Sequence, residues 1–155
     1  MSKVQAVPAG YAAVLPYLVI KNAAKALDFY QNAFGAEILI CMKMPDGAVM
    51  HAEMKIGNAI FMLSEQSDAW GNKSPDMLGD SPVTLMIYVP DVDAFVARAV
   101  AAGAELTMQV ADQFWGDRSG CLQDPFGHLW MISTHIEDVS EEEMAKRSAQ
   151  MFGQS

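Results

Sequence analysis

The sequence predicts an α+β fold built from two tandem βαβββ modules followed by a C-terminal helix. Three observations lead there. The stretch Gly57-Asn58-Ala59-Ile60-Phe61-Met62-Leu63-Ser64 is echoed by Gly127-His128-Leu129-Trp130-Met131-Ile132-Ser133-Thr134, each a glycine turn entering a short apolar strand. Upstream, Val19-Ile20, Ala26-Leu27 and Phe34-Gly35-Ala36-Glu37-Ile38 run parallel to Ile87-Tyr88, Ala94-Phe95 and Ala102-Gly103-Ala104-Glu105-Leu106. The offset is about seventy residues throughout, as two copies of one supersecondary unit require. Finally, each copy carries one helical apolar stripe among β-rich runs. A chain of 155 residues is long enough for one such domain. The whole chain, 1–155, is read as that domain: module one over about 12–65, a linker over 66–81, module two over about 82–135 and the helix over about 139–151.

The elements follow in order. Residues 14–20 form a strand, Asn22 offers an N-cap, and Ala26, Leu27, Tyr30, Ala33 and Phe34 recur at helical spacing until Gly35 ends the helix. Residues 37–42, 49–56 and 59–64 then read as strands, with Pro45-Asp46-Gly47 turning the chain. The linker, with Gly71, Pro75 and Gly79, reads as a surface loop. In module two, 83–89 is the strand, Asp91 or Asp93 the cap, Phe95 to Val100 the apolar stripe and Gly103 the stop. Strands over 105–110, 119–123 and 129–133 complete it, with a turn at Asp124-Pro125-Phe126-Gly127. Ser140 ahead of Glu143 marks a capping box for the last helix.

Composition narrows the function. Ten basic residues against nineteen acids, a net charge of -9, lack the clustered positive charge that phosphate binding needs, so no nucleic-acid partner is expected. An anionic membrane surface is disfavoured for the same reason. No stretch reaches the roughly 20 apolar residues of a membrane helix, and MSKVQAVPAGY lacks the apolar run of a secretory signal. A cytoplasmic protein is the expectation. Cys41 and Cys121 lie far apart without a CxxC partner and are read as reduced strand residues.

Several phrases carry a family resemblance: Pro16-Tyr17-Leu18, Ala26-Leu27-Asp28-Phe29-Tyr30, Phe34-Gly35-Ala36, His51-Ala52-Glu53 and Asp124-Pro125-Phe126-Gly127-His128-Leu129-Trp130. With the duplicated module, they make the chain similar to the vicinal oxygen chelate superfamily of glyoxalases, bleomycin-resistance proteins and dioxygenases, and to its PhnB-like branch. The resemblance covers nearly the whole chain. It implies two modules curled into a half-open mixed β-barrel around a cavity, paired as a homodimer. It does not choose a function, because the superfamily hosts isomerases, ring-cleaving dioxygenases, thiol transferases, epimerases and proteins that sequester drugs. Its enzymes hold a divalent metal with His and Glu on the first and last strands of each module. Those slots fall here on Leu15 or Pro16, Met62, Thr84 and Met131. None is an ordinary ligand for a hard divalent ion, so neither a metal nor another cofactor is expected there. The repeat aligns Met62 with Met131, and the two thioethers are expected to face each other across the pseudo-twofold axis.

Strand alternation places Met62, Thr84, Met86 and Met131 on the concave face, and with twelve methionines in the chain this reads as a soft, adaptable wall for an apolar or aromatic molecule. His51 and Glu53 lie two apart on one strand and share a face, which suits them to act as a catalytic base pair or as two metal ligands. His128 sits in a turn. His135 continues the alternation of Met131 and Ser133 towards the cavity rim. The loop Asp112-Gln113-Phe114-Trp115-Gly116-Asp117-Arg118 gathers aromatics, an amide and an arginine. Gln113, Trp115 and Arg118 are therefore expected to border the cavity mouth, with Arg118 either orienting an anionic ligand group or paired with Asp117 or Asp124. Two functions stand side by side: a metal-free small-molecule binder of the bleomycin-resistance type, and a metal-dependent lyase, isomerase or dioxygenase with a site relocated to His51, Glu53 and His135.

Overall fold

In the computed structural model, which describes residues 4–153, the first module starts at β1 (Tyr17–Ile20), whose alternate residues Leu18 and Ile20 are buried. Helix α1 (Ala23–Phe34) buries the expected stripe of Ala26, Leu27, Tyr30, Ala33 and Phe34. Strands β2 (Glu37–Lys43), β3 (Val49–Ile56) and β4 (Ala59–Glu65) complete a mixed sheet of order β1-β4-β3-β2, with β1 parallel to β4. The segment between the modules contains a 3-10 turn, Asp68–Trp70, and a short helix, α2 (Pro75–Leu78). Module two repeats the plan with β5 (Thr84–Tyr88), α3 (Val92–Ala101), β6 (Glu105–Asp112), β7 (Asp117–Gln123) and β8 (Leu129–His135), in the order β5-β8-β7-β6. Helix α4 (Glu141–Phe152) ends the described chain. The fold is thus the α+β pair of βαβββ modules, and the chain divides into two compact units between Ser81 and Pro82.

Cross-strand partners share a face of the sheet, so the register sorts the side chains. In module one, Phe61 and Leu63 stand in register with Met54 and Ala52 on the side of α1, where the Phe61 ring meets Tyr30 edge-on at 5.5 Å. All four are buried, and each large apolar side chain so placed contributes about 1.5–3 kcal/mol. The alternate residues form the row Tyr17–Met62–Glu53–Ile40 on the face turned away from α1. In module two, Trp130, Ile132 and Leu122 are buried on the α3 side, and the row Met86–Met131–Cys121–Met108 takes the other face. Met62 and Met131 therefore hold the same position in their modules, although one hairpin turns at Gly57-Asn58 and the other through Asp124 to His128.

Two local expectations change. Asn22 does not cap α1: it adopts a left-handed backbone, φ 65° and ψ 51°, and its side chain makes no capping bond. Glu65, at the end of β4, accepts instead from the backbone N–H groups of Asn22 and Ala23 at 2.9 and 2.8 Å, and its charge suits the positive end of the helix. The corresponding residue of module two is Thr134, whose Oγ1 accepts from the Val92 N–H at 2.9 Å, while Asp91 rather than Asp93 caps α3 from the Ala94 N–H at 3.0 Å. The segment 66–81 is also more ordered than a bare loop. Ser74 is fully buried, accepts from the Met77 N–H and donates to Gln66, with Pro75 at the first helical position.

Loss of this borrowed cap should be measurable. Glu65→Ala is expected to lower stability by about 1 kcal/mol, as for other helix caps. Asn22→Gly should leave stability unchanged or slightly raised, because glycine adopts a left-handed backbone freely. Denaturant midpoints of both variants against the parent check the pair.

Candidate functional site

On the helix-free face of module one, His51 and Glu53 do come together, as members of a longer chain. Glu53 is buried, and its Oε2 accepts a short hydrogen bond from the Tyr11 hydroxyl. His51 Nε2 lies 3.2 Å from Glu53 Oε1, and His51 Nδ1 lies 2.9 Å from the Tyr17 hydroxyl. Three different segments supply these groups: β3 its alternate residues, β1 its first residue, and a turn before β1, closed by the Tyr11 N–H on the Pro8 carbonyl, brings in Tyr11. The hydrogen bond from Tyr11 holds the Glu53 carboxyl below the ordinary carboxylate range against the upward push of burial, and His51 adds to the same effect. The same bond raises the Tyr11 phenol. At neutral pH Glu53 is thus a carboxylate that accepts from Tyr11, with the His51 ring between it and the Tyr17 hydroxyl.

Module two centres on a residue the sequence did not single out. Asp117, 3% exposed, accepts from Tyr88 Oη at 2.8 Å and Trp115 Nε1 at 3.1 Å, and its Oδ1 lies 2.8 Å from His135 Nδ1. Burial pushes this carboxyl up, but the hydrogen bonds from His135, Tyr88 and Trp115 outweigh it and leave the pKa lowered. His135 Nε2 meets Asp138 at 2.9 Å, and the two carboxylates, Asp138 foremost, raise the imidazole. Beside them Ser119 and Ser133, both fully buried, share a hydrogen bond of 2.7 Å. Tyr88 was reachable by the same alternation that selects Thr84 and Met86. Tyr17 was reachable as the neighbour of Met62. Tyr11 and Asp117 left no local signal.

The 112–118 loop needs correction. Arg118 pairs with neither Asp117 nor Asp124. Its guanidinium binds both oxygens of Asp93 at 2.7 and 2.9 Å and Asp112 at 2.9 Å, on the α3 side of the sheet and away from Met131. Asp93, freed from capping, supplies that partner. Asp124 instead pins its own turn, accepting from the Phe126 and His128 N–H groups at 2.9 and 3.0 Å and from Trp130 Nε1 at 2.8 Å. The Gln113 amide returns to the Ala111 carbonyl at 3.2 Å. Gly116, with φ 98°, passes so close to residues 137–139 that a β-carbon would lie 2.1 Å from the Glu137 carbonyl oxygen. Phe114 meets Trp115 at 5.0 Å and Phe152 of α4 at 6.4 Å, so the loop's aromatic pair is partly committed to the C-terminal helix.

With this geometry in place, comparison with known proteins decides the family. The profile of the Glyoxalase/Bleomycin resistance protein/Dioxygenase superfamily matches residues 10–132. The chain belongs to that superfamily. Among its relatives, Rv0887c of Mycobacterium tuberculosis is 42% identical over 135 residues, spanning 85% of this chain and 79% of the relative. The crystal structure of TioX from Micromonospora sp. ML1 superposes with a TM-score of 0.66 at 25% identity, over 81% of this chain and 99% of that one. The PhnB protein of Bacillus cereus shares the fold, with a TM-score of 0.60 at 19% identity over 79% of this chain and 99% of that one. Leu15 or Pro16, Met62, Thr84 and Met131, the positions where the resemblance leads one to expect the superfamily's metal ligands, offer a donor set that does not fit a hard divalent ion. Among the described residues, no three His, Cys, Asp or Glu side chains converge to hold one elsewhere.

The two histidine clusters respond to pH with opposite signs. The raised pKa of His135 means that its bridge to Asp138 and Asp117 stabilises the fold fully below the ordinary imidazole value of about 6.5 and is lost as pH rises through the raised value. Glu53 is lowered, so its contribution is present above the ordinary carboxyl value and is lost as pH falls through the lowered one. Denaturant midpoints between about pH 6 and pH 9 should fall more for the parent than for His135→Gln. Equal slopes would exclude the bridge as a source of stability.

Proposed function

We propose that this superfamily member works as one domain that binds a small apolar or aromatic molecule against the helix-free faces of its sheets, without the superfamily's divalent metal. One observation carries the reading: Met62 and Met131, the positions expected from the family resemblance to face a ligand, sit mid-row on those faces among partly exposed apolar side chains. Tyr17 and Met86 are 50% and 47% exposed, and Ile40 and Met42 lie in the same and the adjacent row of module one. Apolar surface left open in this way marks a site of contact, and thioethers adapt their shape to aromatic ligands. Thr84 opens the same face of β5, and Trp115 of the aromatic loop bonds Asp117 at the opposite end of the sheet. Gln113, Arg118 and His135 are held by Ala111, by Asp93 and Asp112, and by Asp117 and Asp138, which makes them supports of the site more than contacts to a ligand. A cytoplasmic homodimer fits this role. No described helix is long and apolar enough to cross a membrane.

A second reading, lyase or isomerase chemistry around His51 and Glu53, is favoured by the Tyr11–Glu53–His51–Tyr17 chain. A buried carboxylate, an imidazole and two phenols suffice to take a proton from one ligand atom and return it to another. His135 adds nothing to that cluster, since both its nitrogens face the carboxylates of module two.

A panel of small aromatic compounds titrated against the intact chain tests the leading reading. Saturable binding is expected, weakened at least about tenfold by Met62→Glu or Met131→Glu, because each puts a charge into the apolar contact. Emission of a variant retaining only Trp115 should follow the same curve. Binding that ignores both substitutions would sink the proposal. Turnover of a bound compound that disappears in Glu53→Gln would favour the second reading instead.

A further inference from the structure

The middle rows of the two sheets have the same register and different chemistry. In module one the row reads Tyr17–Met62–Glu53–Ile40, with a single sulfur. In module two every member of the row Met86–Met131–Cys121–Met108 carries sulfur: three thioethers and a thiol on four adjacent strands. Directly opposed β-carbons on antiparallel strands stand about 4.5–5.5 Å apart, which sets Met131 beside Cys121, while Met108 pairs with Cys121 where the register of β6 is irregular on either side. The row is graded in exposure. Met86 is 47% exposed, while Met131, Cys121 and Met108 are partly buried, which gives an approach from solvent and a drier interior. The flanking rows, Thr84–Leu129–Gln123 and Tyr88–Ser133–Ser119, contain no lysine or arginine that would repel a cation. Cys121 forms no disulfide.

We propose that this row binds a soft monovalent metal ion of the copper(I) class through Met131, Cys121 and one or both flanking thioethers. Thioether and thiolate sulfur select copper(I) and leave hard divalent ions to oxygen and nitrogen ligands. Coordination releases the thiol proton to solvent, and the thiolate neutralises the ion's charge. This site goes beyond the organic-ligand reading, although both use Met131, and Cys121 separates them: Cys121→Ser should weaken copper binding and leave an aromatic ligand in place.

The test uses the intact, reduced chain under nitrogen, with copper(I) supplied on a chromogenic chelator. The parent is expected to withdraw one equivalent. Cys121→Ser and Met131→Leu should each lose more than the roughly 10–100-fold that removing an outer-sphere partner costs a metal site, and Met62→Leu should match the parent. Leucine conserves the volume of methionine, so the fold should survive. If either variant fails to fold, X-ray absorption of the loaded parent decides, with sulfur alone around copper supporting the site and nitrogen or oxygen neighbours overturning it. A parent that leaves copper on the chelator, or Cys121→Ser and Met131→Leu variants that bind as well as the parent, would also overturn it.

Discussion

The helix lying over each sheet is the constraint on which the rest depends. Because α1 and α3 bury one face, Leu63 and Ile132 must point towards them, each with no exposed surface. A slip of one residue would turn every apolar side chain of the strand to the wrong side. Register is thereby locked in both modules, and with it the identity of every residue on the opposite face. Met62, Glu53, Met131 and Cys121 are where they are because their neighbours in sequence are needed in the core. Chemistry on the free face can change from copy to copy without disturbing this, since substitutions there leave the buried face intact.

The two copies use that freedom differently. Module one has gathered oxygen and nitrogen groups that exchange protons, and two of the four, Tyr11 and Tyr17, come from outside β3. Module two has gathered sulfur in its middle row and placed its titratable groups further along, where Asp117 and His135 face each other across β7 and β8. Duplication of one architecture has thus produced one hard and one soft surface.

Alternation and repeats made most of the architecture legible. The second copy repeats the first: 83–89 and 14–20 both read as strands, and each helix stops at a glycine, Gly35 or Gly103. His51 and Glu53 were found by period-two spacing alone, as were Met86 and His135. What stayed hidden depends on contacts between distant segments. Asn22 looked like a cap because asparagine often is one, but the cap is Glu65, 43 positions on, and no local pattern announces it. Arg118 next to Asp117 in sequence suggested a pair. Adjacent residues on a strand point to opposite faces, so the arginine went to Asp93 and the aspartate to His135. Tyr11 lies before the first strand, where periodicity says nothing.

Helix α4 is attached in another way from everything before it. None of its residues is buried, and Arg147, braced within the helix by Glu143, ties it down through Glu137 at 2.8 and 2.9 Å and the Phe114 carbonyl at 3.5 Å, beside the ring contact of Phe114 with Phe152. Exposed ion pairs weaken as dissolved salt shortens the Debye length, to about 8 Å at physiological ionic strength and about 3 Å at 1 M, whereas apolar packing of the strands does not. Ionic strength therefore acts selectively on this molecule: it loosens the last helix, and with it the neighbourhood of Phe114 and Trp115, while leaving both sheets as they are.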